Sequence, residues 1–336
     1  MIIGGNFPLD KAVIEALPAG TRVLSADSWG NSSWNVTARI NAVEPNGTEK
    51  RYFLKCAMSG DVGRSLMEGE FRAMVELYKF APSFIPKPHT WGKFESTPPV
   101  SHFIIYDFKD MSPKLPDPKP FCSELAKLHR TSESPTGKFG FHITTTHGKF
   151  PQFMEWNSSW ESMFRKLLSD LMLLDLDTNG PWKEFQNVYE RTLTLVLPKL
   201  IGPLESEGRT VKPCLLHGDL WEGNIGTDCE NGHIYIFDAS SFYGHNELEL
   251  GMWRGVQNRM SLKVYGEEYL GNFGISEPAN QFDDRNRIYH VKFLMWHSAH
   301  HPNDITRQSA YEDMCYLVNK YAPWPTNESS KRSDET

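Results

Sequence analysis

His217-Gly218-Asp219-Leu220-Trp221-Glu222-Gly223-Asn224, then the run His233-Ile234-Tyr235-Ile236-Phe237 ending in Asp238, is the stretch that decides the fold. His217, Asp219 and Asn224 fall at the H-x-D-x-x-x-x-N spacing of a phosphoryl-transfer loop, and Asp238 stands where such sites carry a metal-binding aspartate. In that arrangement Asp219 orients an attacking hydroxyl or accepts its proton, while Asn224 and Asp238 hold magnesium against the phosphates of ATP. The spacing by itself is a weak signal, since three residue types in fixed register recur by chance. Its flanks sharpen it. Cys214-Leu215-Leu216 and His233 to Phe237 both read as short buried strands, which would deliver a polar loop and a lone acid to one place. The bland alternative is a polar turn between core strands, with His217 a satisfied core histidine and Asp238 a cap.

Upstream, the chain reads as a small sheet with one central helix. Asp10 to Leu17 predicts a short helix, and Thr21-Arg22-Val23-Leu24-Ser25 a first strand. Val36 to Val43 alternates as a second strand, Pro45-Asn46-Gly47 supplies a hairpin turn, and Lys50 to Ala57 returns as a third. Lys55 lies inside that third strand; a lone lysine there would simply point to solvent. It is followed, however, by Met67 to Leu77, where Met67, Phe71, Met74 and Leu77 share one helical face. A strand lysine followed by a helix with an acid in its first turns is the layout of the ion pair that aims an ammonium at the α- and β-phosphates. Glu70 is the preferred partner and Glu68 the other candidate. Phe103-Ile104-Ile105-Tyr106 predicts a buried strand, and Tyr106, Asp107 and Phe108 occupy the hinge position where backbone groups meet the edge of adenine.

Beyond the hinge, Met111 to Pro120 is a Pro-rich connector, and Phe121 to His129 forms an amphipathic helix. Trp160 to Leu174 and Phe185 to Ile201 add further helical segments. The expected fold class is therefore α+β: a two-lobed protein-kinase-like fold. Residues 1–108 would form an N-lobe, a nucleotide-binding antiparallel sheet plus one helix. Residues 109–323 would form a larger, mostly helical C-lobe with the catalytic loop and acceptor site, and 324–336 a polar, disordered tail.

At 336 residues and 39% hydrophobic content, the chain can build two such lobes with proper cores. A net charge of -7, with no basic stripe, argues against nucleic acid or an anionic membrane as partner. No stretch approaches the length of a membrane span, and no secretion signal is read at the N-terminus. Cys56, Cys122, Cys214, Cys229 and Cys315 are odd in number and scattered, which argues for a reducing compartment and against structural zinc. A cytoplasmic protein, monomeric or weakly dimeric, is expected.

The residues also carry a resemblance. Met67-Glu68-Gly69-Glu70, Leu125-Ala126-Lys127-Leu128-His129, Gly137-Lys138-Phe139-Gly140-Phe141, Pro151-Gln152, Trp156 and Trp160 come first. The catalytic loop and Phe237-Asp238-Ala239-Ser240-Ser241-Phe242-Tyr243-Gly244-His245 follow. Across Val23 to Tyr321 the chain resembles the fructosamine/ketosamine kinases, in a fungal-type version, a branch of the aminoglycoside-phosphotransferase-like kinases. The resemblance implies transfer of the ATP γ-phosphate to the 3-hydroxyl of a ketosamine, a ribulosamine or fructosamine adduct on a glycated protein or small amine. The phosphorylated adduct falls apart and releases the amine, which is deglycation. It implies Asp219 as base, Asn224 and Asp238 as Mg2+ ligands, and Lys55 with Glu70 as the phosphate-positioning pair.

Trp221 offers a flat platform for a sugar ring, or else plugs the core. Tyr243 and His245 are candidates for bordering the acceptor pocket. Glu247 and Glu249 are candidates for tying down the catalytic loop, or else plain acids at a helix start. The chain departs from the family at Ser28-Trp29-Gly30-Asn31-Ser32-Ser33, where many relatives have a glycine-rich turn with a cysteine. Ser32 and Ser33 can still cap phosphates there, but redox switching loses its residue. Pro151-Gln152-Phe153-Met154-Glu155-Trp156 has methionine in place of a polar residue, and Glu222 adds negative charge that would suit a cationic acceptor. Two other functions stay open: a small-molecule kinase of the aminoglycoside or choline-kinase type, and a nucleotide-binding pseudoenzyme.

Overall fold

A computed structural model of the chain describes residues 3–30, 35–57, 60–95, 100–152, 154–256 and 258–325. The elements in chain order begin with α1 (Lys11–Glu15), β1 (Arg22–Ser28), β2 (Val36–Val43), β3 (Glu49–Ala57), α2 (Gly60–Phe80), β4 (Pro88–Lys93) and β5 (His102–Asp107). Then come β6 (Met111–Ser112), α3 (Pro118–Thr131), β7 (Thr146–His147), β8 (Phe150–Pro151), α4 (Trp160–Asn179), α5 (Lys183–Arg191) and α6 (Leu197–Leu200). The chain continues with β9 (Cys214–Leu216), β10 (Ile225–Asp228), β11 (Ile234–Ile236), β12 (Phe242–Gly244), α7 (Glu247–Met252), α8 (Lys263–Phe273), α9 (Phe282–His300) and α10 (Ile305–Tyr321).

The expected helix from Phe185 to Ile201 runs without a gap from Lys183 to Leu200, but it is not α-helical throughout. It divides into α5, a widened π turn over Thr192–Val196, and α6. Pro198 is the reason: it has no N–H for the carbonyl of Thr194, and its ring pushes that carbonyl aside. The helices α1 and α3 start where side-chain caps allow. Asp10 accepts from Ala12 N at 2.9 Å, and Asp117 from Lys119 N at 3.0 Å, relieving N–H groups that have no partner within the first turn.

The chain forms two compact units. One holds the residues up to Ser158 together with Lys212–Gly274; the other holds Ser159–Val211 and the residues from Ile275 on. This division by compactness joins the catalytic-loop segment to the sheet, whereas the lobes expected from the sequence break after residue 108. The tail expected at 324–336 lies outside the described residues from 326 on.

In the first unit, β1-β2-β3-β5-β4 form a five-stranded sheet, antiparallel throughout. Side chains alternate across a strand, and one face carries the core: Ala38, Ile40, Ala42, Tyr52, Leu54, Cys56, Phe103 and Ile105 pack with Val13 and Leu17. The alternation that buries Leu54 and Cys56 there turns Lys55 to the opposite face, where α2 packs on β3, β4 and β5. Two small pairings position the rest. The β9–β12 pair sets Leu216 opposite Phe242, and the β10–β11 hairpin sets Ile225 opposite Ile236, bringing the two ends of the catalytic segment together. In the second unit α9 packs against both α4 and α10, and Trp160 Nε1 donates to Tyr289 OH at 2.8 Å within it.

The end of β5 carries a charge cluster. Asp107 Oδ1 lies 2.7 Å from His89 Nε2 and 2.8 Å from Lys50 Nζ. Partial burial would raise the Asp107 carboxyl, but His89 and Lys50 outweigh it and hold it down at about 2. A folded-state value below the unfolded one gives stability that is present above pH ~4 and is lost as pH falls toward 2. Asp107→Asn should therefore cost about 2 kcal/mol near neutrality. In urea unfolding followed across pH, the gap between variant and wild type should shrink to about 1 kcal/mol by about pH 3.

Candidate active site

Lys55 is the centre of the site. Its Nζ lies 2.7 Å from Glu70 Oε2 and 2.9 Å from Asp238 Oδ1, and Tyr106 OH donates to the other Glu70 oxygen at 3.1 Å. Glu70, not Glu68, is thus the partner on α2. One ammonium facing two carboxylates leaves surplus negative charge in a buried place, so both proton sites are held up. Burial alone would lower the Lys55 ammonium, but Asp238 and then Glu70 keep it above its ordinary value. Burial pushes the Glu70 carboxyl up to about 7 against the pull of Lys55, with the Asp238 charge adding to the push.

The catalytic loop is anchored by a buried anion. Glu249, on α7, accepts from His217 N at 2.6 Å and from Gly218 N at 3.0 Å. Burial would raise its carboxyl, but His129 at 3.7 Å and the His217 backbone hold it below the usual range. His129 is fixed in turn, its Nδ1 2.7 Å from Tyr269 OH, which also receives Asn246 Nδ2 at 3.1 Å. Of the two acids read as loop ties, Glu249 makes these bonds. Gly218 is required where it stands: its φ is +83°, and a Cβ would come within 2.4 Å of the Ser240 carbonyl oxygen.

The loop then reaches across to the segment that carries Asp238. His217 Nε2 contacts Phe237 O at 2.9 Å, Ser240 N donates to His217 O at 2.9 Å, and Phe237 N donates to Asn224 O at 3.0 Å. Asn224 Nδ2 donates to Asp219 O at 2.8 Å and lies 3.2 Å from Asp219 Oδ2. Asp238 follows with φ +59°, a left-handed conformation that aspartate tolerates better than most residues. Its side chain keeps 40% exposure, so a ligand can reach the carboxylate. Asp219, Asn224, Asp238, Lys55 and Glu70 thus lie in one continuous set of contacts.

The other expected residues are placed unequally. Trp221 is 41% exposed, its ring against Gly223, so it is no core plug. Glu222 Oε2 accepts from Arg259 N at 3.2 Å, tying the loop to the segment before α8. Tyr243 and His245 are buried, and the Tyr243 hydroxyl donates to Glu76 Oε1 at 3.0 Å; neither side chain lines an open surface. At the hinge, Asp107 N donates to Lys87 O at 2.9 Å and Phe108 N to Arg51 O at 3.2 Å, so these two N–H groups are already engaged. Ser32 and Ser33 lie outside the described residues. One residue was not anticipated: His147 Nε2 is 3.0 Å from Asp219 Oδ1. A histidine in a polar stretch of Thr, Gly and Lys gives no periodic signal that would single it out.

Among the described residues, no group of three or more His, Cys, Asp or Glu side chains forms a ready metal cage. The donors on offer are the amide oxygen of Asn224 and the half-exposed carboxylate of Asp238, beside surplus negative charge. Such a set of few hard oxygen donors fits Mg2+, which keeps waters and shares its coordination with phosphates.

A family profile described as fructosamine kinase matches residues 18–314. The protein-ribulosamine 3-kinase, chloroplastic, of Oryza sativa subsp. japonica is 31% identical over 268 residues, spanning 79% of this chain and 71% of that protein. The ketosamine-3-kinase of Mus musculus is 28% identical over 233 residues, 62% of this chain and 72% of that one. A solved structure assigned as a fructosamine-3-kinase from Thermobifida fusca superposes with a TM-score of 0.72 at 17% identity, covering 93% of this chain and 100% of that chain. The shared fold is the α+β, protein-kinase-like one expected from the sequence.

Removing the loop anchor should expose its role. Glu249→Ala leaves two buried N–H groups without their acceptor and removes the charge facing His129, and is expected to destabilise the chain by about 3 kcal/mol. Urea unfolding measures the loss, and hydrogen exchange should quicken at the His217 and Gly218 amides before the β1–β5 sheet is affected.

Proposed function

The chain belongs to the fructosamine kinase family, and on that premise we propose that it transfers the γ-phosphoryl group of ATP to the 3-hydroxyl of a ketosamine. The acceptor is a ribulosamine or fructosamine adduct on a protein or a free amine, and the phosphorylated adduct then releases that amine. The observation that carries the reading is the buried Lys55 ammonium, held by Glu70 at 2.7 Å and by Asp238 at 2.9 Å. A long flexible side chain held this way becomes a fixed positive point for the α- and β-phosphates, and alignment is most of what an enzyme contributes to phosphoryl transfer.

In this reading Asp219 orients the 3-hydroxyl and takes its proton. An ionised carboxylate accepts hydrogen bonds, which suits Asp219 to receiving the acceptor hydroxyl. Asn224 and Asp238 hold Mg2+, which when bound neutralises charge on the transferred group. Glu249 keeps the loop in register. Trp221 gives the sugar ring a flat exposed face, and Glu222 adds negative charge for a cationic amine. Tyr243 and His245 back the acceptor side from within the core. Tyr106, Asp107 and Phe108 border the adenine, and Ser32 and Ser33 cap phosphates. Residues 1–108 serve the nucleotide and 109–323 the acceptor. A cytoplasmic location is part of the proposal, supported by five cysteines that are all free.

The test is ATP consumption with magnesium on a panel: a ribulosamine, a fructosamine, a morpholino-fructose analogue, an aminoglycoside and an amino alcohol. Turnover on the ketosamines is expected, falling about 10³-fold in Asp219→Ala, and lost when EDTA removes the metal. Turnover on another acceptor alone would overturn the substrate. Nucleotide binding without turnover on any acceptor would overturn the enzyme.

A further inference from the structure

Asp219 is gripped on both oxygens, and one grip is a histidine that the scheme above does not require. His147, at the end of β7, is 1% exposed, with Nε2 3.0 Å from Asp219 Oδ1; Asn224 Nδ2 lies 3.2 Å from Oδ2. A carboxylate that is to take a proton must be ionised and so only accepts; with Asp219 in that form, the imidazole donates through Nε2–H.

The hairpin that carries His147 is fixed without help from Asp219. β7 and β8 pair Thr146 with Pro151 and His147 with Phe150. Gln152 N donates to Thr145 O at 2.8 Å, and Ser240 Oγ donates to Thr146 O at 2.7 Å. On its other side the hairpin rests on α2 so closely that a Cβ on Gly69 would lie 3.2 Å from Thr144 O and 3.3 Å from Thr145 Cα. Gly69 adjoins Glu70, the partner of Lys55. The hairpin and the residues leading into it therefore touch both the helix that carries Glu70 and the Asp219 carboxylate.

We propose that His147 is a positioning residue for phosphoryl transfer: its Nε2–H fixes the plane of the Asp219 carboxylate toward the acceptor hydroxyl. The inference rests on the reading of Asp219 as the group that takes that proton. Rotation of a carboxylate about its last torsion is broad and roughly two-fold, so an unrestrained Asp219 would sample planes that do not meet the hydroxyl. Asn224 divides its amide between Asp219 and the proposed cation, whereas the hold from His147 does not depend on the cation. Small misplacements at such a point cost about 100-fold in rate.

The experiment compares His147→Leu, His147→Gln and Asp219→Ala in steady-state ATP turnover on the morpholino-fructose analogue, with thermal unfolding measured on each. His147→Leu is expected to lower kcat about 10- to 100-fold while the KM for ATP stays within about twofold. His147→Gln, whose amide nitrogen can donate from a similar position, should return kcat to within about fivefold of wild type. If the leucine variant does not fold, His147→Asn replaces it, with a donor too short to reach and the same loss expected. Wild-type kcat in His147→Leu beside a dead Asp219→Ala would overturn the positioning role alone. So would a loss that moves unfolding and KM together and is not recovered by glutamine. An active Asp219→Ala would instead overturn the functional reading beneath it.

Discussion

The architecture of the site depends on one ammonium shared by two carboxylates. Lys55 comes from a strand, Glu70 from a helix and Asp238 from the residue after a hairpin, and the Nζ contacts at 2.7 and 2.9 Å hold all three together. Desolvating a charge is costly unless it is paired, so each partner constrains where the other two elements can sit. Two negative charges against one positive are not a balanced set. Burial pushes the Glu70 carboxyl up to about 7 against the pull of Lys55, the Asp238 charge adds to that push, and the surplus negative charge favours any cation that binds Asp238.

A second buried charge does for the catalytic loop what Lys55 does for the nucleotide side. Glu249 receives two consecutive backbone N–H groups, and His129 and Tyr269 stand behind it. With its ends held, the loop can keep a left-handed Gly218 packed on Ser240, and Asp238 in a left-handed turn of its own. Gly218 adopts its conformation freely, whereas that of Asp238 costs backbone energy and persists only where the surroundings dictate it. Here the surroundings are the β9–β12 and β10–β11 pairings, which bring both His217 and Asn224 to Phe237, the neighbour of Asp238.

Much of this was legible beforehand, for identifiable reasons. β2 is readable as Val36–Val43 because its alternation reports a half-buried strand, and β9 as Cys214–Leu216 because a short apolar run between polar loops reports a buried one. β4 was not singled out: Pro88-His89-Thr90-Trp91-Gly92-Lys93 has no apolar alternation, and none of its residues is fully buried. The π turn between α5 and α6 is not readable because periodicity weighs apolar positions and not the carbonyl that Pro198 displaces. Tyr243 and His245 follow Asp238 closely in sequence, which made them candidates for bordering the acceptor pocket; both are buried, Tyr243 within the β12 pairing.

The sequence by itself determined where the candidate residues sit along the chain. Local periodicity was enough to set Lys55 on a strand, Glu70 on a helix, and Asp219, Asn224 and Asp238 in the loops beside short apolar strands. Tertiary structure alone decided the supports: Glu249 under the loop, His129 behind it, the engaged N–H groups at the hinge, and His147 against Asp219. Each of these is a contact between segments far apart in the chain. Periodicity and spacing report only which neighbours a residue has along a helix or strand, so distant pairs come into view when the sheet and hairpins close.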